Sequence, residues 1–156
     1  MSGVSSILFI CTGNSCRSIM AEGLMRKSLY ELGKERIEVA SAGTMATNGM
    51  PPTDETVKVM KEAGVDVSDF KAKSVTPEMV RKADLILVME PMHKDSVLRK
   101  APQASSKTFL LKEYGSDSKL LPKGYSVHDP IGKPVEDYRI TRDEISAEIE
   151  RIAGLL

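Results

Sequence analysis

The chain has 156 residues, enough for one domain around one buried core. Hydrophobic residues make up 41% and charged residues 28%, and 22 Lys+Arg balance 22 Asp+Glu to a formal net charge of zero. With no polybasic or polyacidic run and no apolar stretch of membrane-span length, neither nucleic acid nor a membrane is an expected partner.

The N-terminus lacks basic residues ahead of its short apolar run, and position 2 is Ser, so neither a signal peptide nor N-myristoylation is expected. Two cysteines, Cys11 and Cys16, are too few for a disulfide scaffold and suit a reducing compartment, with the cytoplasm as the expected location. No repeats or low-complexity linkers interrupt the chain, so residues 1–156 read as a single domain.

Taken in chain order, "SSILFIC" is an apolar run without alternation, the mark of a short strand buried on both faces. Asn14 to Ser18 turn into a helix reaching Leu32, with Ala21, Met25, Ser28 and Leu32 stepping by four, three and four beside Leu24, and Gly33 as its stop. "RIEVASAG" reads as a second strand. Thr53 is an N-cap for a helix through "DETVKVMKEAG" with Val57, Met60 and Gly64 on one face. Thr76 and Pro77 open a short helix before the strand "DLILVME", Pro91 starts another helix, and "KTFLL" is a fourth strand. "GYSVHDPIGKP" is rich in turn formers and predicts a surface loop, and Ile145, Ile149, Ile152 and Leu156 mark a closing helix.

Strand and helix alternate throughout. That pattern predicts an α/β fold, a doubly wound four-stranded parallel sheet with helices on both faces. Ligands of such sheets collect at the carboxyl ends of strands, beside helix N-termini. The stretch "FICTGNSCRS" (Phe9 to Ser18) lies at such a place.

There a strand ends at Cys11, a tight loop follows, and a helix begins near Cys16 or Arg17. Successive backbone N–H groups of Thr12, Gly13, Asn14, Ser15 and Cys16 would converge into an anion-binding concavity, reinforced by the helix N-terminus. Gly13 and Asn14 tolerate the left-handed conformations that such a cradle needs. Arg17 offers a planar fork that matches two phosphate oxygens. The same field that binds a dianion favours a thiolate at Cys11, below the phosphate, where it is an in-line nucleophile able to form a phosphocysteine. Ser18 is placed to hydrogen-bond the sulfur. The leaving group needs a proton, and Asp129, stiffened by Pro130 and followed by the flexible Gly132, is the best acid available.

Other readings carry less. A cysteine at a strand end is commonly a small buried apolar residue. Cys11 and Cys16 do not complete a zinc site, because His93 and His128 lie far off in different contexts. A Walker loop is absent. Neither a metal nor a cofactor is expected.

On "CTGNSCRS", "MAE", "SAGT", "KADLILVME" and "DPIGKP", the chain resembles the low-molecular-weight protein tyrosine phosphatase family over essentially its whole length. The resemblance implies a doubly wound four-stranded fold and a phosphorylated protein as substrate. It implies Cys11 as nucleophile, Arg17 as phosphate clamp and Asp129 as general acid, with Asn14 and Ser18 shaping the loop. It further implies that Ser41 hydrogen-bonds Asn14, and that Cys16 forms a protective disulfide with Cys11, making the enzyme redox-regulated.

The chain also departs from the family pattern. Members acting on phosphotyrosine often carry an aliphatic residue where Ser15 stands, aromatics where Ile131 and Gly132 stand, and a histidine near Phe70. The related protein arginine phosphatases resemble this chain in a small hydroxyl residue at position 15, and in "LKEY" and "TRDE" (Leu111 to Tyr114, Thr141 to Glu144). Phosphotyrosine is the leading substrate and phosphoarginine the alternative. An arsenate reductase of this fold would need further cysteines downstream of Cys16, and a phosphate-binding module without turnover would not need Cys11, Arg17 and Asp129 together.

Overall fold

A computed structural model describes residues 3–116 and 125–156. The first strand, β1 (Ser6–Cys11), explains the architecture. Ile7, Phe9 and Cys11 point into one apolar cluster while Leu8 and Ile10 point into another, so the strand is covered on both faces and shows no alternation. It pairs in parallel with β2 (Glu38–Gly43) on one side and β3 (Leu85–Val88) on the other, and β4 (Thr108–Leu110) completes the order β2-β1-β3-β4. The expected doubly wound sheet is the observed one.

Helices α1 (Arg17–Glu31), α2 (Asp54–Glu62) and α5 (Val135–Ala153) share the cluster on the Phe9 face. Helices α3 (Pro77–Lys82) and α4 (Pro91–Lys100) cover the Ile10 face with Val80 and Val97. Thr53 and Thr76 are the N-caps expected of them: their hydroxyls accept the Thr56 N–H at 3.3 Å and the Met79 N–H at 3.2 Å.

Expectations about the faces of three helices need correction. Leu32 lies beyond the end of α1 and is 51% exposed; the buried stripe runs through Ala21, Leu24, Met25 and Leu29 instead. In α2 the buried positions are Thr56, Val59 and Met60, with Val57 only at the margin. Gly64 does not share that face, because it lies past the helix with φ +80° and its N–H returns to the Lys61 carbonyl, a left-handed C-terminal stop. Leu156 likewise lies past the end of α5, while Ile145, Ile149 and Ile152 are fully buried as expected.

The loop expected over Gly124 to Pro134 is described from Tyr125 onward, Gly124 lying outside the described residues. It does not stay at the surface throughout. Val127 is fully buried, and its N–H donates to the Met89 carbonyl at 2.9 Å, just beyond β3. That bond carries Asp129 to the carboxyl edge of the sheet.

At the same edge β2 approaches the loop after β1 with no room between backbones. A Cβ on Gly43 would stand 2.5 Å from the Thr12 carbonyl oxygen and 2.9 Å from the Asn14 nitrogen. Gly43→Ala therefore displaces the backbone after Cys11. We expect a stability loss of about 1–3 kcal/mol in denaturant titration, accompanied by a fall in anion affinity.

Candidate active site

Asn14 is the one described non-glycine residue with positive φ, at 52°, and it is fully buried. A left-handed conformation costs an ordinary residue about 1–2 kcal/mol, so something must hold it. The Lys73 N–H donates to Asn14 Oδ1 at 2.9 Å, which fixes which way the amide faces, since a backbone N–H can only donate. Nδ2 then donates to Ser18 Oγ at 2.7 Å and to Ser41 Oγ at 3.0 Å. At about 1 kcal/mol each, three such bonds outweigh the strain. Gly13 does not adopt positive φ; its missing Cβ instead leaves space beside Ser15 Oγ, 3.2 Å from where that atom would be.

Proton directions along this network follow. Ser41 accepts from Asn14 and donates to Glu22 Oε1 at 2.8 Å. Ser18 accepts from Asn14, which leaves its own hydrogen for Cys11 Sγ at 2.9 Å. The Asn14 N–H also points at the sulfur, at 3.3 Å. Cys11, 2% exposed, thus has the Ser18 hydroxyl and the Asn14 N–H directed at its sulfur. Among the described residues the N–H groups of Ser15, Cys16 and Arg17 donate to no protein acceptor, as at the start of any helix.

Arg17 is 2% exposed, and a charge so buried requires partners. Nη1 donates to Glu90 Oε2 at 2.7 Å and to the Val127 carbonyl at 2.8 Å, and Nη2 stands 3.5 Å from Asp129 Oδ2. One guanidinium therefore joins the cradle, the end of β3 and the loop bearing Asp129. Asp129 remains 40% exposed, and its Oδ1 accepts the Ile131 N–H at 3.1 Å.

Of the residues expected at the site, Cys11, Asn14, Arg17, Ser18, Ser41 and Asp129 are joined by these contacts. Cys16, however, faces another way. Its sulfur lies 3.6 Å from Thr53 Oγ1 and 3.7 Å from Ser15 Oγ, beside Tyr138, and both thiols are free. Burial, followed by the neighbouring Cys16, pushes the Tyr138 hydroxyl up to about 12, so Tyr138 serves there as a neutral hydrogen-bonding phenol.

Sequence reasoning did not assign Glu22, Glu90 or His93. Glu90 carried one usable signal, an acidic residue two positions after a buried strand that ends beside the loop following Cys11. His93 Nδ1 accepts the Glu90 N–H at 3.1 Å, and Nε2 lies 2.8 Å from Thr12 Oγ1. Burial first, and then the Arg17 charge, push this histidine down to about 4, against the opposing pull of Glu90 and Asp129. Among the described residues no three His, Cys, Asp or Glu side chains group to hold a metal, and no helix is long and apolar enough to cross a membrane.

The depressed histidine has a consequence for stability. Its folded value of about 4 lies below its ordinary 6.5, so the unfolded chain binds the proton more readily between them. The stability it contributes is complete above pH 6.5 and is lost as pH falls toward 4. In that window the wild type should lose up to about 1.4 kcal/mol per pH unit more than His93→Asn, measured by denaturant midpoints across a pH series.

The family model described as low molecular weight phosphotyrosine protein phosphatase matches residues 6–156. A protein-arginine-phosphatase of Geobacillus stearothermophilus is 36% identical, covering 96% of this chain and 95% of that protein. The solved low molecular weight protein tyrosine phosphatase from T. tengcongensis is 41% identical, with a TM-score of 0.87 and coverage of 97% and 99%. A mutant of the YwlE arginine phosphatase with a phosphorylated active-site serine is 33% identical, with a TM-score of 0.88 and coverage of 97% and 95%. Since the match begins with the strand that delivers Cys11 and runs through the last residue, this chain belongs to the low-molecular-weight phosphotyrosine protein phosphatase family.

Proposed function

We propose that this protein is a cysteine-dependent protein phosphatase that hydrolyses phosphotyrosine through a phosphocysteine intermediate. The observation that carries the reading is Cys11 Sγ, held by Ser18 and Asn14 at the foot of the loop whose arginine reaches Asp129. In the first step the sulfur attacks phosphorus as the P–O bond to the phenol breaks, and the Asp129 carboxyl delivers its proton to the departing oxygen. In the second, the Asp129 carboxylate takes a proton from water while the water oxygen attacks phosphorus and the P–S bond breaks. Ser18 and Asn14 stabilise the sulfur as it leaves. Arg17 and the loop N–H groups balance the phosphoryl charge, so neither a metal nor a cofactor enters the scheme. The relative phosphorylated on its active-site serine supports a covalent phosphoenzyme at the equivalent of Cys11.

Two attributes accompany this reading. A free, buried cysteine pair is kept reduced in the cytoplasm. Under peroxide Cys16 would leave Thr53 and bridge to Cys11, which peptide mapping of oxidised protein tests.

The proposal is tested by Cys11→Ser, which should abolish turnover while vanadate still binds. Retention of even a tenth or so of wild-type activity would rule out covalent catalysis through Cys11. Asp129→Ala should cost roughly two to four orders of magnitude with a phenol leaving group, and far less with an acidic, activated phenol.

A second reading, phosphoarginine, is favoured by Ser15, whose hydroxyl borders the cradle beside Gly13 where an apolar wall would suit an aryl ring. The Geobacillus stearothermophilus relative bears that activity in its name. Ser15→Ile should shift the ratio of kcat/KM toward phosphotyrosine peptides by about tenfold or more, the size of one lost polar contact. An unchanged ratio would remove position 15 as the selector.

A further inference from the structure

One imidazole touches two parts of the site that are far apart in sequence. Through Nδ1, His93 accepts the backbone N–H of Glu90, the residue whose carboxylate holds Arg17 Nη1. A ring nitrogen that accepts carries no proton, so the neutral ring has its hydrogen on Nε2 and donates it to Thr12 Oγ1 at 2.8 Å. Thr12 is the residue directly after Cys11, and its carbonyl accepts the Met45 N–H at 2.9 Å. It is thus pinned by its backbone from the β2 side and by its hydroxyl from the α4 side. His93 is 1% exposed, and a polar atom buried that deeply without an acceptor would be costly.

We propose that His93 is a positioning residue, which clips the Thr12 hydroxyl to the backbone of Glu90, the N-cap of α4, and so holds the first residue of the cradle and the anchor of Arg17 in one frame. The groups facing the ring are Arg17, Glu90 and Asp129, and their sum together with burial keeps it neutral, so Nδ1 remains an acceptor for the Glu90 N–H at ordinary assay pH. The hydrogen bond itself lies outside the scheme of attack and proton transfer. Its effect is on where the cradle N–H groups and the guanidinium stand when the phosphoryl group arrives.

The inference rests on the cradle being a phosphate site, and the test separates the two. Vanadate affinity and kcat on an aryl phosphate are measured for wild type, Thr12→Val, His93→Asn, the double variant and Thr12→Ser. Thr12→Val removes one hydroxyl at nearly constant volume and should lower both vanadate affinity and kcat about tenfold, with Thr12→Ser recovering most of the loss. The double variant should be no worse than the poorer single one, because either change breaks the same link. A merely structural role would shift the melting temperature and leave both readouts in place, and that outcome overturns the inference. So do losses that multiply in the double variant. If His93→Asn does not fold, Thr12→Val and Thr12→Ser decide the matter. A wild type that binds no vanadate would overturn the phosphate site and this inference together, whereas a Thr12→Val with wild-type vanadate affinity and kcat overturns this inference alone.

Discussion

The site depends on the orientation of a single carboxamide. Asn14 occupies a left-handed backbone conformation rare outside glycine, and the N–H of Lys73 decides which end of its side chain faces Cys11. Were the amide turned over, Ser18 and Ser41 would each face a carbonyl oxygen, and the hydrogen that Ser18 now directs at Cys11 would have a competing acceptor. The polarity of the whole network, from Glu22 through Ser41 to the sulfur, is therefore set by a backbone group outside the loop. Glu22 terminates it as a buried acceptor whose charge is balanced by Arg26 at 2.9 Å.

A second organising element is the guanidinium of Arg17. Burying it is costly, and the structure recovers that cost by using it as a joint. Glu90 fixes it from the end of β3, the Val127 carbonyl from the loop that approaches over the sheet, and Asp129 faces its remaining amino group. Cys11 and Asp129 share no secondary-structure element, yet one rigid planar group links the loop after Cys11 to Asp129. A lysine would offer the same charge without the planar fork that addresses these partners in fixed directions.

Much of this was legible in sequence, for physical reasons that differ by element. The unalternating run Ile7 to Cys11 reads as a doubly buried strand because both neighbouring layers are apolar, and the caps at Thr53 and Thr76 are local features that need no tertiary knowledge. The cradle is legible because its residues are contiguous. What was not legible is non-local. Glu90 meets Arg17 across 73 positions and His93 meets Thr12 across 81, and nothing in either neighbourhood forecasts the partner. The errors at Leu32, Val57 and Gly64 have a different origin. A stepping pattern fixes a periodicity but not where the helix stops or which neighbouring residue faces the core, and those depend on how the helices settle on the sheet.

The strand order carries a consequence for how the protein comes into being. β1 is made first but lies between β2 and β3, so Cys11 is synthesised before either flanking strand. Lys73, Glu90, Val127 and Asp129 then arrive in succession, and each supplies one constraint that the segment after Cys11 cannot generate alone. In a nascent chain Cys11 therefore lacks these neighbours, and its folded surroundings form only when distant segments have docked. Parallel pairing between remote segments is intrinsically slow to form. The surroundings of Cys11 are thus complete only once segments as distant as Asp129 have docked, which places their assembly late in folding.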